Sequence, residues 1–334
     1  MKIAVTGPTG FVGQHVVAEL ERHLISTTLI CLPSIELPPA FARHTVVYID
    51  LKNAPAKPFD LMSQPDVLIH LAWGGLPNYN SLHHFEEELP TQYRFLKAMV
   101  ESGLKNLLVT GTCFEYGMQS GPLSENSETR PNNPYGFAKD SLRHQLEYLQ
   151  QVRPFNLTWT RLFYLYGEGQ AENSLLPQLK RAVERGDSVF RMSGGEQLRD
   201  YLPVADAAKY LVSLAMTARD NGIVNVCSGK PISVRTLVEG WIKENDWSID
   251  LDLGHYSYPE YEAMAFWGTR DKLNRCLELQ RSDGWLGRTR CRWRPLLVPT
   301  SLPVVTLRVF YDSALSISLL HKQRITWLTK LRRT

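Results

Sequence analysis

Tyr135 and Lys139 stand four residues apart in the stretch NPYGFAKD, at what reads as the start of a helix. Pro131 and Pro134 precede the tyrosine, and proline is tolerated in a first helical turn but not in an interior one. Leu142, Leu146 and Leu149 follow at core-facing spacing, and an interval of four puts Tyr135 and Lys139 on one helical face. A phenol with a pKa near 10 is a poor proton carrier at neutral pH, and a nearby ammonium favours its phenolate. The pair is therefore either a proton-moving device or a solvated aromatic–cation contact. The spacing suits both, and the neighbouring motifs decide.

The stretch MKIAVTGPTGFVGQHVVAELER reads as strand, glycine-rich turn and helix, with Gly7, Gly10 and Gly13 in the turn. Glycines so placed let the backbone approach a pyrophosphate seated on the free N–H groups of the following helix. At a first strand–helix junction this points to a dinucleotide rather than to an empty turn. The apolar runs TTLICL, HTVVYI, DVLIHLA, NLLVTGT and NLTWTRLFY alternate with helical patterns. That alternation predicts an α/β fold on a doubly wound parallel sheet. Asp50 and Leu51 end the third strand, where an adenine would lie; a helix cap is the other use for Asp50. From about residue 166 the pattern loosens, as in a smaller substrate-covering part. The expected division is a dinucleotide-binding Rossmann domain at 1–165 with 201–228, and a substrate-binding part at 166–200 with 229–280.

Composition narrows the class. A net charge of +3, with 43% hydrophobic and 21% charged residues, describes an ordinary globular chain with no pull towards nucleic acid. The five cysteines (31, 113, 227, 276 and 291) lack metal-type spacing and read as reduced thiols of a cytoplasmic protein. The chain enters a strand at KIAV without a signal-peptide profile, and the late apolar stretch is interrupted by Arg308 and Asp312, so no membrane span is expected. The segment 281–334 differs from the rest. It carries nine Arg and two Lys against Asp283 and Asp312, a net +9, which leaves −6 for residues 1–280. It reads as a non-conforming tail, and no function is assigned to it.

The glycine turn, HLAWGG, TGTCFEYG and PYGFAK occur in the order found in one family. Over roughly residues 1 to 280 the chain resembles the extended short-chain dehydrogenase/reductases of the epimerase/dehydratase type, particularly those acting on nucleotide-linked sugars. The resemblance implies a catalytic set of Thr112, Tyr135 and Lys139, and a cofactor, NADH or NADPH. The implied cofactor contacts are Gly7, Gly10, Phe11, Val12, Gly13, Asp50, Leu51, Leu71 and Ala72 with Tyr135 and Lys139. The implied substrate contacts are Trp73, Thr112 and Arg199, the last matching an arginine that grips a nucleotide-sugar diphosphate. In hydride addition to a ketone, Tyr135 would donate the proton, with its pKa lowered by Lys139, and Thr112 would hold the oxygen. The strand ending LICLPS offers neither an acid for a ribose 2′-hydroxyl nor an arginine for a 2′-phosphate, so NAD and NADP both stay open. Asp206 is expected at a turn or helix cap, Cys227 in packing, and Glu115 in a structural place. A homodimer is the assembly considered.

The residues after Thr112 bear on the reaction. The family's 4,6-dehydratases carry an Asp-Glu pair there, and its decarboxylating members keep the Glu; this chain has Cys113 and Phe114. Enzymes that epimerise as well as reduce place a Cys at the second position, and here strand alternation would turn Cys113 away. The resemblance of HLAWGGLPNYNSLHHFEEELPTQYRFLK and TGTCFEYG to reductases of dTDP-4-keto-6-deoxyglucose, which serve surface-polysaccharide synthesis, implies net reduction at C4. A 4-epimerase that holds its NAD, and a non-catalytic dinucleotide-binding regulator, are the alternatives. Tyr164 and Glu168 depart from the family's Asn and Pro in RLFYLYGEG, which leaves the surroundings of the sugar open.

Overall fold

The computed structural model describes residues 1–35, 37–258 and 263–282. The tail beyond residue 282 lies outside them.

In chain order the first half holds β1 (Lys2–Thr6), α1 (Phe11–Arg22), β2 (Ser26–Cys31), β3 (Thr45–Tyr48), α2 (Pro58–Leu61), β4 (Val67–His70), α3 (Leu89–Glu101), β5 (Asn106–Thr112) and β6 (Gly121–Leu123). Then come α4 (Pro134–Val152), β7 (Asn156–Leu162), β8 (Tyr164–Tyr166), α5 (Leu175–Glu184), β9 (Val189–Arg191), β10 (Leu198–Pro203) and α6 (Val204–Met216). The described chain closes with β11 (Gly222–Val226), β12 (Pro231–Ser233), α7 (Val234–Glu244), β13 (Asp250–Asp252), β14 (Phe266–Gly268) and α8 (Asp271–Ser282).

Seven strands form one sheet in the order β11-β7-β5-β4-β1-β2-β3, every adjacent pair parallel. This is the doubly wound α/β architecture expected from the alternation. Successive side chains of a strand face opposite sides, so Ile3 and Val5 enter one core with Val16, Val17 and Leu20 of α1 and Leu211 of α6. Ala4 and Leu68 enter the other with Phe95, Leu96 and Met99 of α3 and Leu142, Leu146 and Leu149 of α4. The chain leaves the interior strand β1 towards β2 and returns to its other side as β4, which opens a crevice at the carboxyl ends of β1 and β4.

A smaller part carries the sheets β12-β10-β8 and β13-β9, and Leu179, Phe190, Val238 and Trp241 lie in its core. Asp200 on β10 accepts backbone N–H bonds from Ser228 (2.7 Å), Gly229 (2.9 Å) and Gly268 (3.3 Å), tying β10 to the end of β11 and to β14. Asp206 sits in the first turn of α6, paired with Lys209 at 2.8 Å, while Pro203 holds the capping position. Cys227 is buried among Tyr116, Phe163 and Phe266, as expected of a packed thiol. Among the described residues no helix is long and apolar enough to cross a membrane, and no group of His, Cys, Asp and Glu could hold a metal ion.

Candidate active site

Two hollows flank the carboxyl ends of the sheet strands. The first, about 310 Å³, is lined by Gly7 and Gly10, by Cys31 and Leu32, by Asp50, Leu51 and Lys52, and by Leu71, Ala72 and Trp73. Gly10 caps α1 without a side chain, and the first N–H groups of a helix have no intrahelical acceptor, so they point at this groove. Gly13 allows the tight turn: a Cβ there would fall 2.0 Å from the Gly7 carbonyl and 2.8 Å from Pro8 backbone atoms. The turn, the bare helix end and the apolar walls fit a dinucleotide. The side chain of Val12 packs against the core cluster that includes Val16 and Val17. Asp50 takes both of its expected places: it lines the groove and caps a short turn by accepting from Lys52 N at 3.0 Å.

The second hollow, about 420 Å³, is lined by Phe11, the residue after Gly10, and holds Thr112, Cys113, Phe114 and Tyr135 in its wall. β5 ends at Thr112, whose hydroxyl accepts from Phe114 N at 3.3 Å and so turns the chain into a single tight coil, Cys113–Tyr116. Strand alternation therefore does not apply to Cys113, which lines the cleft beside Phe114. α4 begins where Asn133 accepts from Gly136 N at 2.8 Å and Pro134 supplies the first helical residue. Its first turn brings the Tyr135 side chain into a hydrogen bond with Thr112. One turn later Lys139, 2% exposed, donates to the Thr110 carbonyl at 2.9 Å and lies 3.9 Å over the Trp73 ring. Thr112, Tyr135 and Lys139 thus meet.

Their ionisation runs against the expectation of a lowered phenol. Burial, and after it Tyr79, hold the Tyr135 proton well above the usual phenol range, with the Thr112 hydrogen bond pulling the other way. Burial also brings Lys139 down from its usual 10.5 to about 7, opposed by Glu115 and Glu88. A buried ammonium costs more than it gives to a buried phenol, so the site holds a firmly protonated tyrosine beside an easily neutralised lysine. Burial, then Lys139, pushes the pKa of His70, which stacks on Phe95, down to about 3, which keeps that imidazole neutral.

Of the expected substrate contacts, Thr112 lies in the cleft wall, while Trp73 and Arg199 border other groups. Trp73 lines the first groove rather than the cleft, and it donates from Nε1 to His84 Nδ1 at 3.1 Å. Arg199, 1% exposed, is not brought to the cleft wall. Its Nη1 donates to the carbonyls of Leu198 (3.0 Å) and Met264 (3.2 Å), and the guanidinium packs 4.7 Å from the Phe266 ring. Tyr164, one of the departures from the family pattern, enters the cleft wall with Tyr201 and Trp241.

Several residues here escaped sequence reading. Tyr79 and His84 sit 5.6 and 5.2 Å from the Tyr135 ring, closing an aromatic box around it with Phe114 and Trp73. The density of aromatic and histidine side chains in WGGLPNYNSLHHF was the available signal. Glu88, 6% exposed, lines the groove from the turn before α3, and nothing in its local sequence marks it. Larger depressions beside α5 and α7 are bordered by surface pairs such as Arg181–Glu172, Arg185–Asp187 and Arg235–Glu239. None of the groups just described lines them.

The geometry agrees with what similar proteins are. A model of the NAD dependent epimerase/dehydratase family matches residues 3–227. The dTDP-6-deoxy-L-talose 4-dehydrogenase (NAD(+)) of Aggregatibacter actinomycetemcomitans is 33% identical over 275 residues, covering 81% of this chain and 100% of that protein. The GDP-6-deoxy-D-talose 4-dehydrogenase of the same organism is 27% identical over 240 residues, 70% of this chain and 76% of that one. The structure of MoeE5 in complex with UDP-glucuronic acid and NAD matches with a TM-score of 0.71 at 25% identity, over 83% of this chain and 93% of MoeE5. Of the two cofactors the sequence left open, NAD is the one this family uses. This chain belongs to the NAD dependent epimerase/dehydratase family and is an NAD-dependent enzyme that modifies nucleotide sugars.

Proposed function

We propose that the protein interconverts ketone and alcohol at C4 of a nucleotide-linked 6-deoxyhexose, and that its working direction is reduction. One observation carries this reading: among the described residues no Asp, Glu, His, Lys or Arg lines the cleft around Thr112 and Tyr135. Dehydration needs an acid and a base at neighbouring carbons, and beside Tyr135 this lining holds no carboxylate or imidazole for the second of those roles. Hydride transfer at a single carbon needs only one proton carrier. The two named 4-dehydrogenase relatives are described by the oxidising direction of the same couple at C4.

The groove of Gly7, Gly10, Asp50, Leu71 and Ala72 would hold reduced NAD, which would supply the hydride. Thr112 would hold the ketone oxygen by hydrogen bond, and Tyr135 would release its phenolic proton to that oxygen as negative charge develops there. A phenol that burial keeps protonated suits an acid acting on an alkoxide, which is the more basic of the two. General acid catalysis of this kind is worth roughly 10²–10⁴ in rate. Lys139 would give a proton back to Tyr135 between turnovers, a role that its easy neutralisation supports. The apolar wall of Leu76, Pro77, Phe114 and Leu165 suits a methyl at C6 better than a hydroxymethyl or a carboxylate.

The same lining would serve a 4-epimerase, which also moves one hydride and one proton. The test is an anaerobic reaction of the full chain with stoichiometric NADH and dTDP-4-keto-6-deoxyglucose. Mass spectrometry should find a product heavier by two hydrogens, formed one for one with NADH consumed. Persistence of the ketone, together with interconversion of UDP-glucose and UDP-galactose without net cofactor use, would transfer the assignment to the epimerase.

A further inference from the structure

Beneath the catalytic groups lies a buried ion pair that the chemistry so far does not use. The Glu115 side chain is fully buried, and both of its oxygens are occupied. Oε1 accepts from Thr112 N at 2.9 Å and from Trp159 Nε1 at 3.0 Å. Oε2 accepts from Arg161 Nε at 2.7 Å. Burial pushes the Glu115 carboxyl up, opposed first by Arg161; each of these partners is a donor, so the hydrogen bonds favour the carboxylate, and an acid proton would have no acceptor among them. Arg161, on β7, also packs 4.4 Å from the Tyr116 ring and reaches to 4.0 Å from Asp140, the residue after Lys139 on α4. Asp140 is in turn held by Arg143 at 2.8 Å. The coil bearing Thr112 is pressed directly on the start of α4, since a Cβ on Gly136 would fall 2.6 Å from the Phe114 carbonyl.

We propose that Glu115, with Arg161, is the positioning residue of this site: its carboxylate locks the coil that carries Thr112 to the helix that carries Tyr135 and Lys139, and supplies the buried negative charge that faces Lys139. The charged and titratable groups around Lys139 are few. They are Glu115 from the coil, Glu88 and His84 from the turn before α3, His70 from β4, and Tyr135 one turn back on α4. His70 and His84 are both held towards the neutral form by burial. Glu115 is the stronger of the two carboxylates acting on Lys139, ahead of Glu88. A merely structural ion pair would set stability and leave the Lys139 equilibrium alone. A positioning pair sets both.

The inference rests on the C4 redox reading for its kinetic part but not for its titration part, so the test has two readouts. Glu115→Gln keeps one acceptor oxygen and removes the charge. Should that change unfold the chain, the paired Glu115→Met with Arg161→Met removes the whole ion pair, a replacement that folded proteins often accept without loss of stability. In the full chain labelled at lysine Cε, with Lys139 assigned by its disappearance in Lys139→Met, the Lys139 titration should move down by about one pH unit. In turnover of dTDP-4-keto-6-deoxyglucose with NADH, kcat should fall by roughly tenfold to a hundredfold. KM for NADH should stay near wild type. A folded variant whose Lys139 titrates as in wild type, and whose kcat is kept, overturns the proposal. Should the wild-type chain reduce no ketone, the C4 reading fails by itself, and the Lys139 titration still decides the role of Glu115.

Discussion

Replacing Lys139 with Met should make the fold stronger while stopping turnover. The ammonium is buried with one carbonyl acceptor, Thr110 O at 2.9 Å, and one aromatic face, Trp73 at 3.9 Å. Burial carries its pKa from 10.5 to about 7, a gap of about 3.5 pH units that corresponds to ~5 kcal/mol at most. The sign follows from the lower folded value. Below about pH 7 both the folded and unfolded chains carry the charge, so the full cost of burying it is present. As pH rises towards 10.5 the unfolded chain still binds the proton and the folded chain has lost it, so the cost fades. Met is similar in length and neutral, and its sulfur can rest on the Trp73 ring. It leaves the Thr110 carbonyl without a donor, at about 1–3 kcal/mol. The net gain near pH 6 should therefore be about 2–4 kcal/mol. Urea unfolding of the cofactor-free chain and of Lys139→Met, followed by tryptophan fluorescence, measures the difference at several pH values. The advantage of Met should shrink by up to ~1.4 kcal/mol per pH unit between about pH 7 and 10. A difference that does not change with pH, or a Met variant weaker than wild type near pH 6, refutes the reasoning.

Three further outcomes are expected. Tyr135→Phe keeps the ring within its aromatic box, so NAD affinity and stability should stay near wild type while turnover drops by at least about a hundredfold, measured by NADH oxidation. Gly13→Ala forces a methyl onto backbone atoms at 2.0 and 2.8 Å; overpacking of this kind costs about 1–3 kcal/mol, so Kd for NAD by fluorescence titration should rise roughly tenfold to a hundredfold. Arg199→Met removes the donor to two carbonyls and should lower stability by about 1–3 kcal/mol with little change in KM for the sugar nucleotide. A large rise in KM at unchanged stability would instead return that guanidinium to the substrate.

The sequence made visible whatever depends on near neighbours. The glycine turn, the strand runs and the helix opened by Pro134 each follow from local geometry, and the parallel, doubly wound sheet follows from their alternation. The pairing of Tyr135 with Lys139 needed only the helical period. Features made by distant partners stayed hidden. The bond from Trp159 to Glu115 spans 44 positions and that from Arg161 spans 46, and no periodicity links them. Arg199 is legible from its motif, but its contacts with Phe266 and the Met264 carbonyl arrive from far along the chain. The phenol's direction of titration was misjudged for the same reason. The ammonium beside it was legible, whereas the burial that outweighs that charge is built by Trp73, Tyr79, His84 and Phe114 together.

The strand order also fixes how the sheet can assemble as the chain is made. β1 is first and interior; β2 and β3 extend it on one side, and β4, β5, β7 and β11 extend it on the other, each later than the last. No strand has to insert between two that are already paired, so the sheet can grow outward from a seed as the chain leaves the ribosome. Growth pauses once. Between Leu162, the end of β7, and Gly222, the start of β11, about 60 residues of the smaller part and α6 must be synthesised, some 3–12 seconds at roughly 5–20 residues per second. Through that interval β7 is the growing edge, with unpaired N–H and C=O groups along NLTWTRL. A nascent or truncated chain halted there would offer this edge to another copy of itself, so the last parallel strand acts as the closing seam of the molecule.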